Sequence, residues 1–219
     1  MREPVPDYDI AATEICYYSS LLWQKGFADG NGGNLSVKLA DGHFLVTPSN
    51  FSKMGLGEEQ LLLADETGKQ LNNFDYKISS EFSTHLAIYR RDPAIKAVIH
   101  SHPPYTLSFA CTDFFPLEPL TPEAFIWAGD ISVIPFLLPG SKDLSDYIGS
   151  VNSSLDVLVL KNHGAITSGS SLKEAWFRCE VLESQSKLYH LAGCRGDALN
   201  FLNNIDKERL KEIKNKFFK

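Results

Sequence analysis

The stretch Ala97-Val98-Ile99-His100-Ser101-His102 closes an apolar run with two histidines that are two positions apart. Its branched apolar residues predict a strand, and alternate residues of a strand point to the same side of a sheet. The two imidazoles are therefore expected on one side, roughly 6 to 7 Å apart along the chain. Pro103-Pro104 follows directly and predicts a helix start, because proline is tolerated in the first turn of a helix.

A third histidine lies at the end of another predicted strand, in Leu160-Lys161-Asn162-His163-Gly164. Gly164 permits a sharp turn that would leave the His163 ring at the mouth of that strand. Three neutral imidazoles with an open fourth position are the usual surroundings of a catalytic zinc ion. We therefore predict a site for zinc, or for another divalent transition metal, at His100, His102 and His163. The alternative is that these are hydrogen-bonded core histidines.

The other histidines carry less information. His85 follows Glu81 by four residues on a predicted helix, a spacing that could bind a metal, but a structural role that orients the helix is favoured. His100-Ser101-His102-Pro103 also begins the signature of the JAMM zinc isopeptidases, but Ala110 stands where that signature has a serine. Two further histidines have no partner in the sequence and are assigned no role: His43 and His190.

Composition narrows the class of protein. The chain has 219 residues, of which 43% are hydrophobic and 22% charged, as expected of one folded α/β domain. A net charge of -6 argues against a nucleic-acid partner, because phosphate backbones are bound by a surplus of Lys and Arg. The four cysteines lack C-x-x-C spacing, and neither a signal peptide nor an apolar run of about 18 residues is present. We therefore expect a cytoplasmic protein without a membrane partner.

Hydrophobic periodicity predicts alternating helices and strands around these motifs. An Asp-Gly turn at Asp41-Gly42 between two short apolar runs predicts a β-hairpin, and hairpin strands are antiparallel. We therefore predict an α/β fold whose sheet has a strong antiparallel component and helices on its faces. The predicted strands are residues 35–39, 44–47, 61–64, 97–102, 131–136 and 155–160, and the predicted helices include residues 10–23, 82–90, 172–192 and 206–219.

Three donor-rich turns are expected near the metal. Ser79-Ser80-Glu81 opens a predicted amphipathic helix, where backbone N–H groups and hydroxyls can bind an anion. Asn31-Gly32-Gly33-Asn34 and Thr47-Pro48-Ser49-Asn50 are further turns of this kind. Glu81 is the best candidate for a proton acceptor beside the metal. Each turn alone would pass as an ordinary loop, and Glu81 as a capping residue, but together they indicate a phosphate cradle beside a metal.

These motifs resemble those of the class II aldolase/adducin family. Gly33-Asn34-Leu35-Ser36, Thr47-Pro48-Ser49-Asn50 and Ser79-Ser80-Glu81 resemble its three phosphate loops, and the histidine motifs resemble its zinc ligands. The likeness covers about residues 11–192 in order and spacing. It implies a single domain over residues 1–219, built as a three-layer α/β/α sandwich with a mostly antiparallel central sheet. It also implies homotetramers with active sites at subunit interfaces.

Carried over residue by residue, the resemblance implies that Glu81 is a fourth zinc ligand in the empty enzyme and a proton shuttle once substrate displaces it. One zinc ion per subunit would stabilise the charge left when the C3–C4 bond of a short ketose phosphate, such as L-fuculose 1-phosphate, breaks. The products would be dihydroxyacetone phosphate and an aldehyde. The substrate-binding residues implied by the three loops are Asn31, Gly33, Asn34, Ser49, Asn50, Ser79 and Ser80.

Departures from the family pattern leave other functions open. Asn31 and Asn50 stand where the fuculose-phosphate enzymes have threonine and glycine, which leaves the phosphate geometry open. Glu123 lies where related methylthioribulose-phosphate dehydratases place a general acid/base, or it is an ordinary residue at a helix start. A sugar-phosphate dehydratase, a 4-epimerase and a non-catalytic adducin-like interaction module are therefore alternatives. Phe217 and Phe218 either close a pocket or are ordinary tail residues.

Overall fold

The structure is a computed structural model that describes residues 6–196 and 198–217. Its secondary structure alternates between helices and strands, as the periodicity predicts. The helices are α1 Tyr8–Gln24, α2 Phe82–Arg91, α3 Pro104–Ala110, α4 Lys142–Ser150, α5 Leu172–Arg195 and α6 Asn204–Phe217, with short helical turns at Glu58–Gln60 and Ala124–Ala128. The strands are β1 Asn34–Lys38, β2 Phe44–Val46, β3 Leu62–Ala64, β4 Ala97–Ser101, β5 Ile131–Ile134, β6 Val157–Leu160 and β7 Gly164–Gly169.

The strands form one mixed sheet in the order β3-β2-β1-β4-β7-β6-β5. Within the described residues, β5 and β6 pair in parallel and the other five neighbouring pairs are antiparallel. The strand that carries His100 is the central one. Asn34 of β1 is paired with His100 on one side of β4, and Ile166 of β7 is paired with it on the other. This register brings the start of β1, the end of β4 and the start of β7 to one place.

Helices cover both faces of the sheet and give the three predicted layers. On one face, α1 and α5 bury Ile15, Leu22 and Trp176 against strand residues such as Leu35 and Ile99. On the other face, α2 and α4 pack against the sheet through a second apolar cluster that includes Ile88, Val98, Leu144, Ile148 and Leu158. The predicted α/β sandwich is therefore confirmed. No helix among the described residues is long and apolar enough to cross a membrane.

Local features mark the ends of α1 and α5, the two helices that cover one face of the sheet. The side chain of Asp7 accepts a hydrogen bond from the backbone N–H of Ile10 and so caps α1. Ser171 caps α5 in the same way, at the end of the turn that follows β7. Gly196 ends α5 in the left-handed conformation that glycine adopts without strain.

Candidate metal centre and active site

Three histidines converge at the ends of the central strands. His100 lies on β4, His102 follows its last residue, and His163 occupies the turn between β6 and β7. One ring nitrogen from each lies within 4.8 Å of the other two, a spacing that could hold a metal ion. The Nε2 atoms of His100 and His102 are 3.1 Å apart. The structure therefore brings together the three residues predicted from the sequence.

His102 departs from the prediction in one detail, because β4 ends at Ser101 and not at His102. Its backbone N–H leaves the sheet and donates to the carbonyl of Phe27, at 2.7 Å. The ring is consequently placed by the loop that follows α1 and not by strand alternation. The two rings meet with their centroids 4.9 Å apart at an interplanar angle of 76°.

The hydrogen bonds of the ring Nδ1 atoms decide which nitrogen is free to bind a metal. His100 Nδ1 lies 3.1 Å from the carbonyl oxygen of Ala165, and His102 Nδ1 lies 2.6 Å from Asp29 Oδ1. Both contacts require a proton on Nδ1, so Nε2 is the ring nitrogen of each residue that is left to bind a metal. Burial lowers the pKa of His100 to about 3, so its ring is neutral at physiological pH. A neutral His100 ring with its Nε2 close to that of His102 fits a cation bound there, and imidazole suits zinc and similar transition metals.

His163 is held in place by a close approach of backbone segments. Asn162 adopts the left-handed conformation, with φ of 55°, in the turn before it. A Cβ atom added to Gly164 would lie 2.4 Å from the Ser101 carbonyl oxygen and 2.8 Å from Cδ2 of His102. Gly164 is thus required because β7 passes directly against β4 and the His102 ring. This is a packing reason for the glycine, in addition to the turn expected from the sequence.

Glu81 reaches the histidines from the start of α2. Its Oε1 lies 3.1 Å from His163 Nε2, and its Oε2 lies 3.5 Å from His100 Nε2. Asn34 Nδ2 donates to Oε2 at 2.9 Å. Burial acts to raise the pKa of Glu81, but the imidazoles of His100 and His163 outweigh it and hold the pKa below its ordinary value. Glu81 is therefore a carboxylate at neutral pH, placed beside the Nε2 atoms of His100 and His163.

The three predicted loops meet next to this cluster. Pro48 and Ile78 form an isolated β-bridge, and Ser49 N–H donates to the Lys77 carbonyl at 2.8 Å. These contacts bring the second loop against the segment that leads to Ser79 and Ser80. The first loop joins them through the side chains of two residues, Asn31 and Asn50, whose amide and carbonyl groups are 2.9 Å apart.

Other predicted residues lie outside the cluster. Glu123 is exposed and immediately precedes the turn Ala124–Ala128. His85 is fully buried with its Nδ1 2.7 Å from Ser36 Oγ, and burial lowers its pKa to about 4, in keeping with a neutral structural ring. Phe217 is the last residue of α6, and Phe218 lies outside the described residues.

Two polar residues near the loops were not predicted from the sequence. Asp29 contacts His102, and its only signal is its position in a glycine-rich turn. Lys53 is 1% exposed, and its ammonium group donates to the carbonyls of Phe51, at 2.7 Å, and Asn31, at 3.3 Å. It ties the first loop to the segment after the second. A lysine in a polar turn gives no sequence signal of such burial.

Lys53 gives a pH-dependent prediction about stability. Burial lowers its pKa to about 8, below the ordinary value near 10.4. Between these values the unfolded chain binds more protons, so the contribution of Lys53 to the free energy of unfolding rises with pH. The difference in unfolding free energy, wild type minus Lys53→Met, should rise by about 3 kcal/mol from pH 7 to pH 10.5. Urea unfolding at several pH values measures it, with Lys69→Met as an exposed control; a difference that does not change with pH would contradict the prediction.

Comparison with known proteins agrees with this geometry. Residues 13–190 match the family model described as Class II Aldolase and Adducin N-terminal domain. An L-fuculose phosphate aldolase of Methanococcus vannielii is 38% identical over 178 residues, which cover 81% of this chain and 93% of that protein. A 3-oxo-tetronate 4-phosphate decarboxylase of Pectobacterium atrosepticum is 32% identical over 189 residues, which cover 84% of this chain and 86% of that protein.

Solved structures share the fold over nearly the whole chain. A Klebsiella pneumoniae protein described as a candidate aldolase/epimerase/decarboxylase superposes with a TM-score of 0.87 at 28% identity, covering 94% of this chain and 99% of that one. An L-fuculose 1-phosphate aldolase superposes with a TM-score of 0.81 at 25% identity, covering 95% of this chain and 96% of that one. The three-histidine cluster, the sandwich fold and these matches agree, and the chain belongs to the class II aldolase and adducin N-terminal domain family.

Proposed function

We propose that this chain is a zinc-dependent aldehyde-lyase that cleaves a short ketose phosphate, such as L-fuculose 1-phosphate, into dihydroxyacetone phosphate and an aldehyde. The observation that carries the proposal is the ionised carboxylate of Glu81 beside His100 and His163, in a cluster of three histidines whose ring nitrogens converge. A carbon–carbon lyase of this type needs both an electrophilic centre and a nearby proton acceptor. A non-catalytic interaction module would need neither, so the intact ligand set argues against that alternative.

In this proposal, His100, His102 and His163 hold the ion through Nε2. When bound, zinc would act as a Lewis acid on the carbonyl end of the substrate and stabilise the negative charge that develops as the bond breaks. Glu81 lies beside His100 and His163 and accepts a hydrogen bond from Asn34. Once substrate displaces it, Glu81 would accept the proton of the substrate hydroxyl whose carbon becomes the aldehyde, and later return a proton to the other product.

The phosphate end of the substrate would lie in the cradle formed by the three loops. Ser79 and Ser80 directly precede α2, where backbone N–H groups and the helix dipole favour an anion. Gly33 and Asn34, together with Ser49, add backbone and side-chain donors from the first and second loops. The bond between Asn31 and Asn50 fixes the spacing of those loops. Fixing both ends of the substrate would hold the reacting bond beside Glu81.

Decarboxylation of a 3-oxo acid phosphate is the second candidate function. It is favoured by the 32% identity to 3-oxo-tetronate 4-phosphate decarboxylases and by the paired Asn31 and Asn50, which depart from the fuculose-phosphate loops. Both reactions break the bond between the carbon α to a carbonyl and the next carbon, and both leave an enolate charge at the α-carbon. They differ in the base, because aldol cleavage must remove a hydroxyl proton and loss of carbon dioxide does not.

A substrate panel tests the proposal. Zinc-loaded protein would be incubated with five- and six-carbon ketose 1-phosphates and with 3-oxo-tetronate 4-phosphate, while dihydroxyacetone phosphate, carbon dioxide and new olefinic or enol signals are followed. We expect zinc-dependent release of dihydroxyacetone phosphate, and none from the His163→Ala variant. Carbon dioxide release alone would favour the second candidate, and no reaction with any substrate would contradict both.

A test of Glu123 distinguishes elimination of water from carbon–carbon cleavage. Its side chain is exposed, and we propose an acid/base role for it only in a dehydratase-like reaction, reached in the assembled enzyme. For an aldolase, Glu123→Gln is expected to leave kcat and KM for carbon–carbon cleavage within about twofold of wild type, as for a surface substitution. A large loss of turnover in this variant, with water loss in the wild type, would instead support dehydration.

We further propose that the enzyme is a cytoplasmic homotetramer with substrate sites at subunit interfaces. The four cysteines are free thiols, which suits a reducing compartment. Surfaces that pack against another copy are expected to expose large apolar side chains. Four such side chains are exposed in the second half of the sequence: Phe114, Leu117, Phe136 and Leu138. Light scattering should give four times the mass of one 24.4 kDa chain, and a monomer at micromolar concentration would contradict this part of the proposal.

A further inference from the structure

We propose that Asp29 is a positioning residue of the metal centre, which orients the His102 ring and strengthens metal binding through it. This inference rests on the metal site of the proposed function but concerns a residue outside the ligand set. Asp29 Oδ1 lies 2.6 Å from His102 Nδ1. The contact fixes the proton on Nδ1 and leaves Nε2 as the metal-binding atom.

The contact involves an ionised carboxylate. The side chain is exposed, and an exposed aspartate is ionised at neutral pH because its ordinary pKa is about 3.9. A carboxylate that accepts from the far nitrogen of a ligating imidazole makes the near nitrogen a stronger donor to the metal. His100 has only the neutral Ala165 carbonyl at this position, and His163 Nδ1 has no hydrogen-bond partner among the described residues. Among the described residues, His102 is thus the member of the triad with a charged contact at Nδ1.

The backbone of the first loop is shaped around this pair. The backbone N–H of His102 donates to Phe27, and Gly32 N–H donates to the Asp29 carbonyl at 2.7 Å. A Cβ atom added to Gly32 would lie 2.5 Å from Asp29 Oδ1 and 2.8 Å from His102 Nδ1. Any larger residue at position 32 would have to displace one of the two partners. The loop therefore holds Asp29 against His102 from two sides.

Because Asp29 is exposed, its role in metal binding can be tested separately from any role in folding. Its side chain is 82% exposed, whereas that of His102 is 19% exposed. Replacing an exposed side chain removes little buried contact area, so Asp29 variants should fold normally. A matched control exists on the hairpin, where Asp41 Oδ2 lies 2.8 Å from His43 Nδ1. That pair has the same chemistry but lies outside the three-histidine cluster.

The test is zinc affinity, measured by competition with a chromophoric chelator at pH 7 on metal-free protein. Asp29→Asn and Asp29→Ala are expected to bind zinc about 10- to 100-fold more weakly than wild type, with the alanine variant at least as weak. Asp41→Asn should bind as wild type does. The thermal unfolding temperature of the metal-free Asp29 variants should match that of the metal-free wild type. If Asp29 had only a structural role, weaker zinc binding would be accompanied by a lower unfolding temperature.

A second variant and a spectroscopic readout keep the result interpretable. Gly32→Ala keeps the aspartate at position 29, but the added methyl group would push Asp29 and His102 apart. This variant should therefore weaken zinc binding as well. Cobalt-substituted Asp29→Asn should show a shifted visible absorption band, because the orientation of one ligand changes. Wild-type affinity in Asp29→Asn, Asp29→Ala and Gly32→Ala would overturn the inference while leaving the metal site intact. No zinc binding by the wild type would overturn the metal site itself.

Discussion

Glu81→Gln is expected to lower kcat by about 10²- to 10⁴-fold while the fold and the bound metal are retained. The amide has nearly the shape of the carboxylate and can still accept the hydrogen bond from Asn34, so packing at the start of α2 is preserved. It cannot accept a proton, and it carries no charge beside His100 and His163. Steady-state kinetics on the substrate identified by the panel measures the effect.

Glu66→Gln provides the control for this change. It is the same substitution in an exposed turn, remote from the histidines in the fold, and it should leave kcat unchanged. Metal content and unfolding temperature should be close to wild type in both variants. Full activity in Glu81→Gln, with metal retained, would refute its role in aldol cleavage and would favour decarboxylation, which needs no base for bond breaking.

Gly164→Ala is expected to abolish stoichiometric metal binding and to destabilise the protein by about 1 to 3 kcal/mol, as overpacking does. The added methyl group would meet the Ser101 carbonyl at 2.4 Å, His102 Cδ2 at 2.8 Å and His100 Cε1 at 3.2 Å. The first of these is backbone of β4, which cannot move without breaking its pairing with β7. Either the strands separate or the two rings turn away from the metal.

Gly193→Ala is the matched control, because a Cβ atom at that position of α5 would meet nothing within 4 Å. In a helix this change is neutral or stabilising by up to about 1 kcal/mol. Elemental analysis and urea unfolding would be applied to both variants. Wild-type metal content and stability in Gly164→Ala would show that β7 and β4 are not packed as closely as described.

The local features of the fold were predictable because they depend on short-range physics. The Asp41-Gly42 hairpin and the proline start of α3 each follow from the conformational preferences of a few neighbouring residues. The three histidines were predictable for a similar reason, since each lies within or shortly after an apolar strand. Their convergence then follows from the central position of β4 in the sheet.

Features that depend on distant contacts were not predicted. Strand β7, Gly164–Gly169, is buried throughout, yet its small and polar residues lack the apolar alternation that marks a strand. Asp29 and His102 are 73 residues apart, and Lys53 becomes buried only when two loops close over it. The partners of these polar residues are distant in the sequence, so the sequence alone does not reveal them. The end of β4 at Ser101 is a smaller case, because the Phe27 carbonyl draws His102 out of the strand.

The most direct test of the account is the metal content of the purified chain after zinc loading and removal of free ion. We predict one zinc ion per chain in the wild type, and none in a variant with His100, His102 and His163 all replaced by alanine. Circular dichroism would confirm that the variant retains its helices and strands. A wild type without stoichiometric metal, or a triple variant that keeps it, would contradict the proposal that these three histidines form the catalytic centre.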